Sequence, residues 1–129
     1  MSTLLRKSLD SPDETRAFGA GMGHLDVVNT EEGAVGRAIF EPGWRWSDHI
    51  KPIAGTDSCE AAHTGYVISG RMMVVMDDGR QAEFGPSDFM VVSPGHDAWV
   101  VGSEPCEVID WQGMADYAKA SAAAGSRHS

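Results

Sequence analysis

The sequence predicts an all-β domain, a sandwich or barrel of about nine short strands. Runs of apolar and β-branched residues recur at short spacing and are separated by glycine-rich turns. The 15 glycines in 129 residues suit a chain with many tight turns better than they suit a helical protein. We therefore expect a single β-rich core with short connections.

The strands follow one another at close intervals from residue 24 onward. His24–Asn29 and Ala34–Phe40 are joined by the turn-like TEEG. Asp78-Gly79 between two apolar runs predicts a tight hairpin. WRWSDHI is expected to be extended and KPIAGTDSCEA to be a loop. The remaining predicted strands are AHTGYVIS, RMMVVM, QAEF, DFMVVS, DAWVVG and CEVIDWQG.

The ends of the chain differ in composition from its body. We expect residues 1–129 to form a single domain, with a barrel at about 23–113, a polar N-terminal arm at 1–22 and a short tail at 114–129. In the arm, SPDET either opens a short helix, with Ser11 as N-cap, or lies loosely along the body. The Ala-rich tail is expected to form a helical turn or two before it frays.

Charge and cysteine content limit the classes of function. The net charge of -9 argues against partners that are nucleic acids or anionic membrane surfaces. No apolar run approaches the ~20 residues of a membrane span, and the N-terminus does not resemble a signal peptide. Two cysteines, Cys59 and Cys106, are too few for a disulfide framework. We expect a cytoplasmic protein.

Histidines are the candidate metal ligands. His128 lies in the tail, and His24 precedes a strand and is assigned a structural or surface role. His49, His63 and His96 lie in the densest β region. Each has an ordinary alternative as a hydrogen-bonded core or rim residue. Three imidazoles that converge in a dry space would suit zinc, iron, nickel or manganese.

Strand alternation suggests which side chains share a face. If WRWSDHI is extended, Arg45, Ser47 and His49 point to the same side. If the following segment is also extended, one face carries small residues beside a histidine: Cys59, Ala61, His63 and Gly65. Small neighbours would leave room for a ligand beside the imidazole.

These residues resemble the two short motifs of the cupin superfamily. Gly43 is followed by five residues and then His49, as in the first motif. His63 is followed by six residues and then Gly70, so it stands at the place of the glutamate of that motif. SDFMVVSPG resembles the second motif, with serines at two of its glycine and proline positions. The resemblance covers about residues 35–112. It implies a double-stranded β-helix, a small jelly-roll barrel that is usually dimeric and holds a metal inside.

The sequence departs from these motifs at the ligand positions. Lys51 replaces the second histidine of the first motif, and a loop is inserted before His63. The histidine of the second motif would fall at Ala98, whereas His96 lies two residues earlier with the same strand parity. The predicted metal set is therefore His49, His63 and His96. The alternative is a cupin barrel that has lost its metal.

The longer pattern PGWRWS…GHDAWVVG also resembles a bacterial cupin subgroup and the zinc cupin domain of hydrazine synthetases. In those enzymes the domain is fused to a methionyl-tRNA-synthetase-like half and rearranges an activated hydroxylysine ester to form an N–N bond. This resemblance implies zinc, and it implies either a separate synthetase-like partner or a different substrate.

Three further residues are candidates for catalysis. Arg45 would clamp a substrate carboxylate or form an Arg–Asp pair at the rim. Cys59, four residues before His63, would be a fourth metal ligand, a reactive thiol or a small buried residue. Asp97 would be a hydrogen-bond partner of His96 or a turn cap.

The functional hypothesis is a metal-dependent enzyme, with zinc as the first candidate, that acts on a small polar substrate such as an amino-acid derivative. In its sharpest form the enzyme rearranges that substrate and forms an N–N bond. One alternative is a three-histidine iron dioxygenase. Another is a non-catalytic barrel that senses a small ligand or a metal, and a third is a structural dimer, because the fold alone does not fix function. A homodimer is expected, and RMMVVM is either a partner surface or core.

Overall fold

The computed structural model describes residues 3–113, which form two antiparallel β-sheets and little helix. The predicted all-β class is confirmed. Two single-turn helices, α1 (Trp46–His49) and α2 (Lys51–Ala54), lie between the third and fourth strands. The strands are β1 (Glu14–Ala17), β2 (Gly23–Thr30), β3 (Gly33–Phe40), β4 (His63–Ser69), β5 (Met72–Met76), β6 (Gln81–Phe84), β7 (Phe89–Val92), β8 (His96–Val100) and β9 (Cys106–Asp110).

The larger sheet has the order β1-β2-β3-β9-β4-β7, and the smaller sheet has the order β6-β5-β8. Alternate side chains of both sheets point into one apolar core, which includes Leu25, Val67 and Val74. Strands distant in sequence are neighbours, since β9 lies between β3 and β4. This topology brings the end of β9 next to the start of β4.

The predicted hairpin at Asp78-Gly79 is confirmed. Strands β5 and β6 pair antiparallel, and the Met76 amide donates to the Arg80 carbonyl at 2.7 Å. Gly79 has φ 93°, a conformation that glycine adopts without steric cost. The methionine-rich strand β5 contributes Met72 and Val74 to the core.

The N-terminal segment is more ordered than a loose arm. The short helix considered for SPDET does not form, because β1 begins at Glu14 and pairs with β2 along its whole length. Backbone pairing with an edge strand satisfies more donors and acceptors than one isolated helical turn would. The predicted helical tail and His128 lie outside the described residues.

The prediction of an extended WRWSDHI segment is wrong. Trp46 and Ile50 are both buried, and their four-residue spacing is that of one helical face. The Asp97 carboxylate accepts the Ser47 amide at 3.1 Å and so satisfies a donor in the first turn of α1. The expected loop that follows also begins with a helical turn, α2, whose end is marked by Gly55 at φ 77°.

Within residues 3–113, no helix is both long enough and apolar enough to cross a membrane.

A substitution at Gly65 tests how closely strands β4 and β9 approach each other. A Cβ atom there would lie 2.3 Å from the carbonyl oxygen of Ile109, which belongs to the rigid backbone of β9. We expect Gly65→Ala to lower the free energy of unfolding by roughly 1–3 kcal/mol, because the strands must separate. Denaturant titration measures this change.

Gly85→Ala is the matched control, because the three atoms nearest to the new Cβ all belong to the guanidinium of Arg71, a flexible side chain that can move away. Equal stability losses in the two variants would contradict the proposed strand contact.

Candidate metal centre

Cys59, His63 and His96 converge inside the barrel. One ligand atom from each residue lies within 4.8 Å of the others, and all three residues are buried. The imidazole rings of His63 and His96 lie edge to face, with centroids 5.3 Å apart. Buried groups of this type need partners, and their convergence is the ordinary arrangement of metal ligands.

Backbone pairing places Cys59 beside His96. The Cys59 amide donates to the His96 carbonyl at 2.7 Å, and the Gly95 amide donates to the Cys59 carbonyl at 2.7 Å. These bonds fix the loop before β4 against the first residue of β8. Cys59 is thus held by the fold, although it belongs to no strand.

His63 is oriented by a buried carboxylate. The Nδ1 atom of His63 lies 2.6 Å from Oδ2 of Asp110, which is 2 % exposed. The other carboxylate oxygen, Oδ1, accepts the amides of Gln112 at 2.9 Å and Gly113 at 3.1 Å. With Nδ1 bonded to Asp110, Nε2 of His63 is directed to the Sγ atom of Cys59, 3.7 Å away.

His96 is fixed in a similar way. Its Nδ1 lies 2.9 Å from the carbonyl oxygen of Ser93, which can only accept, so the hydrogen is on Nδ1. This tautomer leaves the lone pair of Nε2 available for a metal. His96 lies on the same buried face of β8 as Ala98 and Val100. The expected inward direction of its side chain is therefore confirmed.

The distance between the ligand atoms of Cys59 and His63 is close to that in a tetrahedral metal site. Typical bonds of about 2.3 Å from zinc to sulfur and about 2.0 Å to nitrogen, at a tetrahedral angle, separate two ligand atoms by about 3.5 Å. The observed Sγ–Nε2 distance between Cys59 and His63 is 3.7 Å. Three protein ligands leave a fourth position for water or substrate, as catalytic zinc sites do.

The hydrogen bonds of Cys59 and His63 favour a thiolate on Cys59 and an imidazolium on His63. Burial opposes the thiolate, but the interactions of the thiol with His63 and His96 outweigh it and lower the pKa of Cys59 to about 6. Burial also opposes the imidazolium, but the bonds to Asp110 and Cys59 raise the pKa of His63 to about 9. Cys106, with burial alone, has its pKa raised to about 11. The site therefore favours a thiolate, the form that binds metals.

A cavity of about 40 Å³ lies at this cluster inside the barrel. Its wall contains His63, His96 and Asp110, and the rest is apolar or aromatic and includes Trp44 and Trp46. Cys59 is not among the residues that line this cavity.

His49 does not join the cluster in the described chain, contrary to the predicted three-histidine set. It ends helix α1, and its Nδ1 accepts the backbone amide of Arg45 at 3.0 Å. The prediction that His49 and Arg45 share one face of a strand is also wrong, because His49 belongs to helix α1. Cys59 takes the place in the cluster that the sequence prediction gave to His49.

Arg45 and Asp97 lie together, away from the cavity wall. The guanidinium of Arg45 stacks over Trp99 at 4.3 Å from the ring centroid and lies 3.8 Å from Asp97. The Asp97 carboxylate accepts the amides of Ser47 and Ala98. The contact between Arg45 and Asp97 is the Arg–Asp pair considered for Arg45, and Asp97 caps the start of helix α1 and not a turn. The catalytic roles of both residues stay predictions.

Asp110 was missed by the sequence prediction. The strand pattern could have identified it, because Asp110 shares the buried face of β9 with Cys106 and Val108. A carboxylate on a buried face needs a buried partner. His24, assigned a structural or surface role, is partly exposed and lies 3.6 Å from Asp26.

The thiolate can be tested in metal-free protein. In a Cys106→Ala variant, which leaves one thiol, we expect the thiolate absorbance of Cys59 to appear with a midpoint near pH 6. Adding His63→Gln should raise the midpoint, because burial is then opposed by the contact with His96 alone. An unchanged midpoint in the double variant would contradict the pairing.

Comparison with solved structures identifies the architecture. An uncharacterised Klebsiella pneumoniae protein with a double-stranded β-helix domain matches at TM-score 0.55 and 24% identity, over 89% of this chain and 94% of that one. A sugar phosphate isomerase from a cupin superfamily, from Silicibacter pomeroyi, matches at 0.57 and 17%, over 87% and 77%. The polyketide cyclase of Streptomyces resistomycificus matches at 0.58 and 18%, over 86% and 80%.

No family model matches the chain, and no curated protein matches it in sequence. The structural matches, all below 25% identity, establish the fold. The chain is a double-stranded β-helix, the jelly-roll barrel of the cupins.

Proposed function

We propose that this protein is a metal-dependent enzyme that holds one zinc ion with Cys59, His63 and His96 and acts on a small molecule in the adjoining cavity. The observation that carries the proposal is the convergence of these three buried side chains. Cupin-fold neighbours include enzymes of different reaction types, a cyclase and an isomerase among them. The fold is therefore compatible with catalysis and does not specify the reaction.

The donor set favours zinc. A thiolate with two imidazoles suits a borderline-soft ion, whereas manganese prefers oxygen ligands, and iron and nickel are the remaining candidates. The alternative of a three-histidine iron dioxygenase depended on His49, which caps its own helix instead. A sulfur ligand therefore distinguishes the zinc proposal from that alternative.

The protein residues would position and enclose the reacting groups. Asp110 and the Ser93 carbonyl fix the two imidazoles, so their free nitrogens need no reorientation on binding. The apolar wall excludes bulk water from the fourth ligand position. When bound, the metal would supply Lewis-acid chemistry, polarising a carbonyl or a similar group of the substrate.

The specific reaction is a narrower proposal. The resemblance to hydrazine synthetases suggests a rearrangement that forms an N–N bond, with an activated amino-acid derivative as substrate and a synthetase-like partner enzyme. The alternative is a barrel that binds a ligand or metal as a sensor, without turnover. Turnover assays with zinc-loaded protein separate the two.

Cys59, His63 and Asp110 also stand in the order of a thiol nucleophile, its base and the orienting carboxylate. This second candidate is an acyl-transfer enzyme. We favour the metal site because His96 converges on the same thiol and Cys59 is 4 % exposed, which hinders attack on a substrate. Alkylation of Cys59 that is blocked by zinc would support the metal site.

The expected homodimer and the cytoplasmic location stay predictions. A surface for a second copy is available on the outer faces of β4 and β7, where Tyr66, Ile68, Phe89 and Val91 are exposed. Within residues 3–113, strand β7 is an edge of the larger sheet and pairs on one side alone, which favours it as the strand that a second copy would contact.

Metal content tests the proposal. Elemental analysis of protein purified without chelator or nickel should give near one zinc per chain in the wild type. We expect Cys59→Ala, His63→Ala and His96→Ala to lose it, because each removes a ligand atom. His49→Ala and His24→Ala are matched controls that should keep it. A metal-free wild type, or loss of zinc in His49→Ala with retention in Cys59→Ala, would contradict the assignment.

Asp110→Asn tests the orienting carboxylate separately from the ligands. We expect zinc affinity to fall roughly 10- to 100-fold while some binding persists, because the amide holds the ring less firmly and does not support the charge on the metal site. Competition with a fluorescent chelator measures the affinity. Zinc affinity equal to that of the wild type would show that the hydrogen bond is only structural.

A further inference from the structure

We propose that a groove between strands β6 and β7 holds an unbranched alkyl chain whose carboxylate reaches the open metal position. The inference rests on the proposed function and deepens it, because it names a straight-chain carboxylate as the ligand class. It makes the side chains of the groove specificity-determining residues.

The groove lies where both sheets end. Within residues 3–113, β7 is the last strand of the larger sheet and β6 is the last strand of the smaller one. A space of about 210 Å³ lies between them, and its walls come from β5, β6 and the end of β7. It is several times larger than the inner cavity of about 40 Å³.

The inward face of the smaller sheet continues from the inner cavity into this groove. Along β5, Met72 and Val74 line the inner cavity, whereas Val74 and Met76 line the groove. Ala82 of β6 is paired in register with Val74 and lies on the same face, yet it is exposed. An apolar face that is covered beside the metal centre is therefore uncovered in the groove.

The groove adjoins both histidines of the metal centre. Val92 is paired in register with His63, and Met76 is paired with His96. Directly opposed residues of antiparallel strands share a face, with Cβ atoms about 4.5–5.5 Å apart. Val74 and Val92 line both the groove and the inner cavity. A chain that starts at the metal position can therefore reach the groove past these two valine side chains.

The chemistry of the walls favours an alkyl chain over an ionic group. Most of the wall is aliphatic or aromatic, and Arg80 is the one charged residue in its described part. Its guanidinium is exposed, and Nε donates to the Asp78 carboxylate at 2.9 Å. A second charge in the groove would lose hydration for a weak, solvent-screened contact. An alkyl chain loses only unfavourable contact with water.

The inner cavity limits the size of the group at the metal. An enclosed water needs roughly 10–15 Å³, so about 40 Å³ has room for about three non-hydrogen atoms. A carboxylate has three such atoms, and its oxygen is an ordinary zinc ligand. The rest of a longer carboxylate has to leave the cavity, and the groove is the adjoining apolar space.

A series of straight-chain carboxylates tests the inference. Isothermal titration calorimetry would compare acetate, butanoate, hexanoate and octanoate on zinc-loaded wild-type protein. We expect the dissociation constant to fall roughly fourfold for each added methylene until the groove is filled, because each one is removed from water. Hexylammonium is the matched probe, because it has the same chain length and no zinc-binding oxygen. It should bind more weakly than hexanoate.

Methyl NMR locates the chain in the wild type, so this measurement needs no variant to fold. Ala82 lines the groove and not the inner cavity. We expect hexanoate to shift its carbon-13 methyl signal and acetate to leave the signal unchanged.

Two phenylalanine variants separate the groove from the outer surface. Ala82→Phe places a large side chain in the groove. Glu83→Phe is the matched control, because Glu83 is the next residue of β6 and is paired with Met73, so it lies on the opposite face. We expect Ala82→Phe to weaken hexanoate binding roughly tenfold while acetate affinity and zinc content stay unchanged. Glu83→Phe should change none of the three.

The outcomes separate this inference from the proposed function. Zinc-loaded protein that binds no carboxylate, or binds acetate as tightly as hexanoate, overturns the inference and leaves the metal proposal intact. Equal effects of the two phenylalanine variants, or no hexanoate shift at Ala82, also overturn it. A chain-length effect that Ala82→Phe removes in protein that binds no zinc supports the groove and rejects the metal proposal.

Discussion

The buried hydrogen bond between Asp110 and His63 is the interaction on which the site depends. A carboxylate that is 2 % exposed is tolerated only when its oxygens are satisfied. Two backbone amides and the His63 ring provide that satisfaction. The bond fixes the tautomer of His63 and so the direction of its Nε2 toward Cys59. Without this hydrogen bond, the ring of His63 could rotate, and its Nε2 would no longer be held toward the other two ligand atoms.

Strand topology makes that bond possible. Strand β9 lies beside β4, and Asp110 is paired in register with Gly65, two residues beyond His63. Gly65 lets the backbones approach, so the carboxylate reaches the ring diagonally. On the other side, the backbone pairing of Cys59 with His96 brings the thiol in from a loop. Ligands from a loop, β4 and β8 thus meet because the two sheets share one core.

Local sequence patterns predicted most of the strands and only part of the site. Alternation and turn residues identified β2 to β9, and parity correctly placed His96 inside. The WRWSDHI segment was misassigned because Trp44 and Trp46 alternate like strand residues, whereas the buried pair that matters is Trp46 and Ile50. The same misassignment placed His49 among the predicted metal ligands. Cys59 and Asp110 reach the site through pairing between distant segments, which spacing along the chain does not encode.

X-ray absorption spectroscopy at the zinc edge of the metal-loaded protein tests the central claim most directly, because it identifies the ligand atoms themselves. The proposed centre predicts one sulfur at about 2.3 Å and two imidazole nitrogens at about 2.0 Å, with one lighter exchangeable ligand. Loss of the sulfur signal in Cys59→Ser would assign it to this residue. A shell of imidazole and oxygen atoms without sulfur in the wild type would contradict the proposed centre.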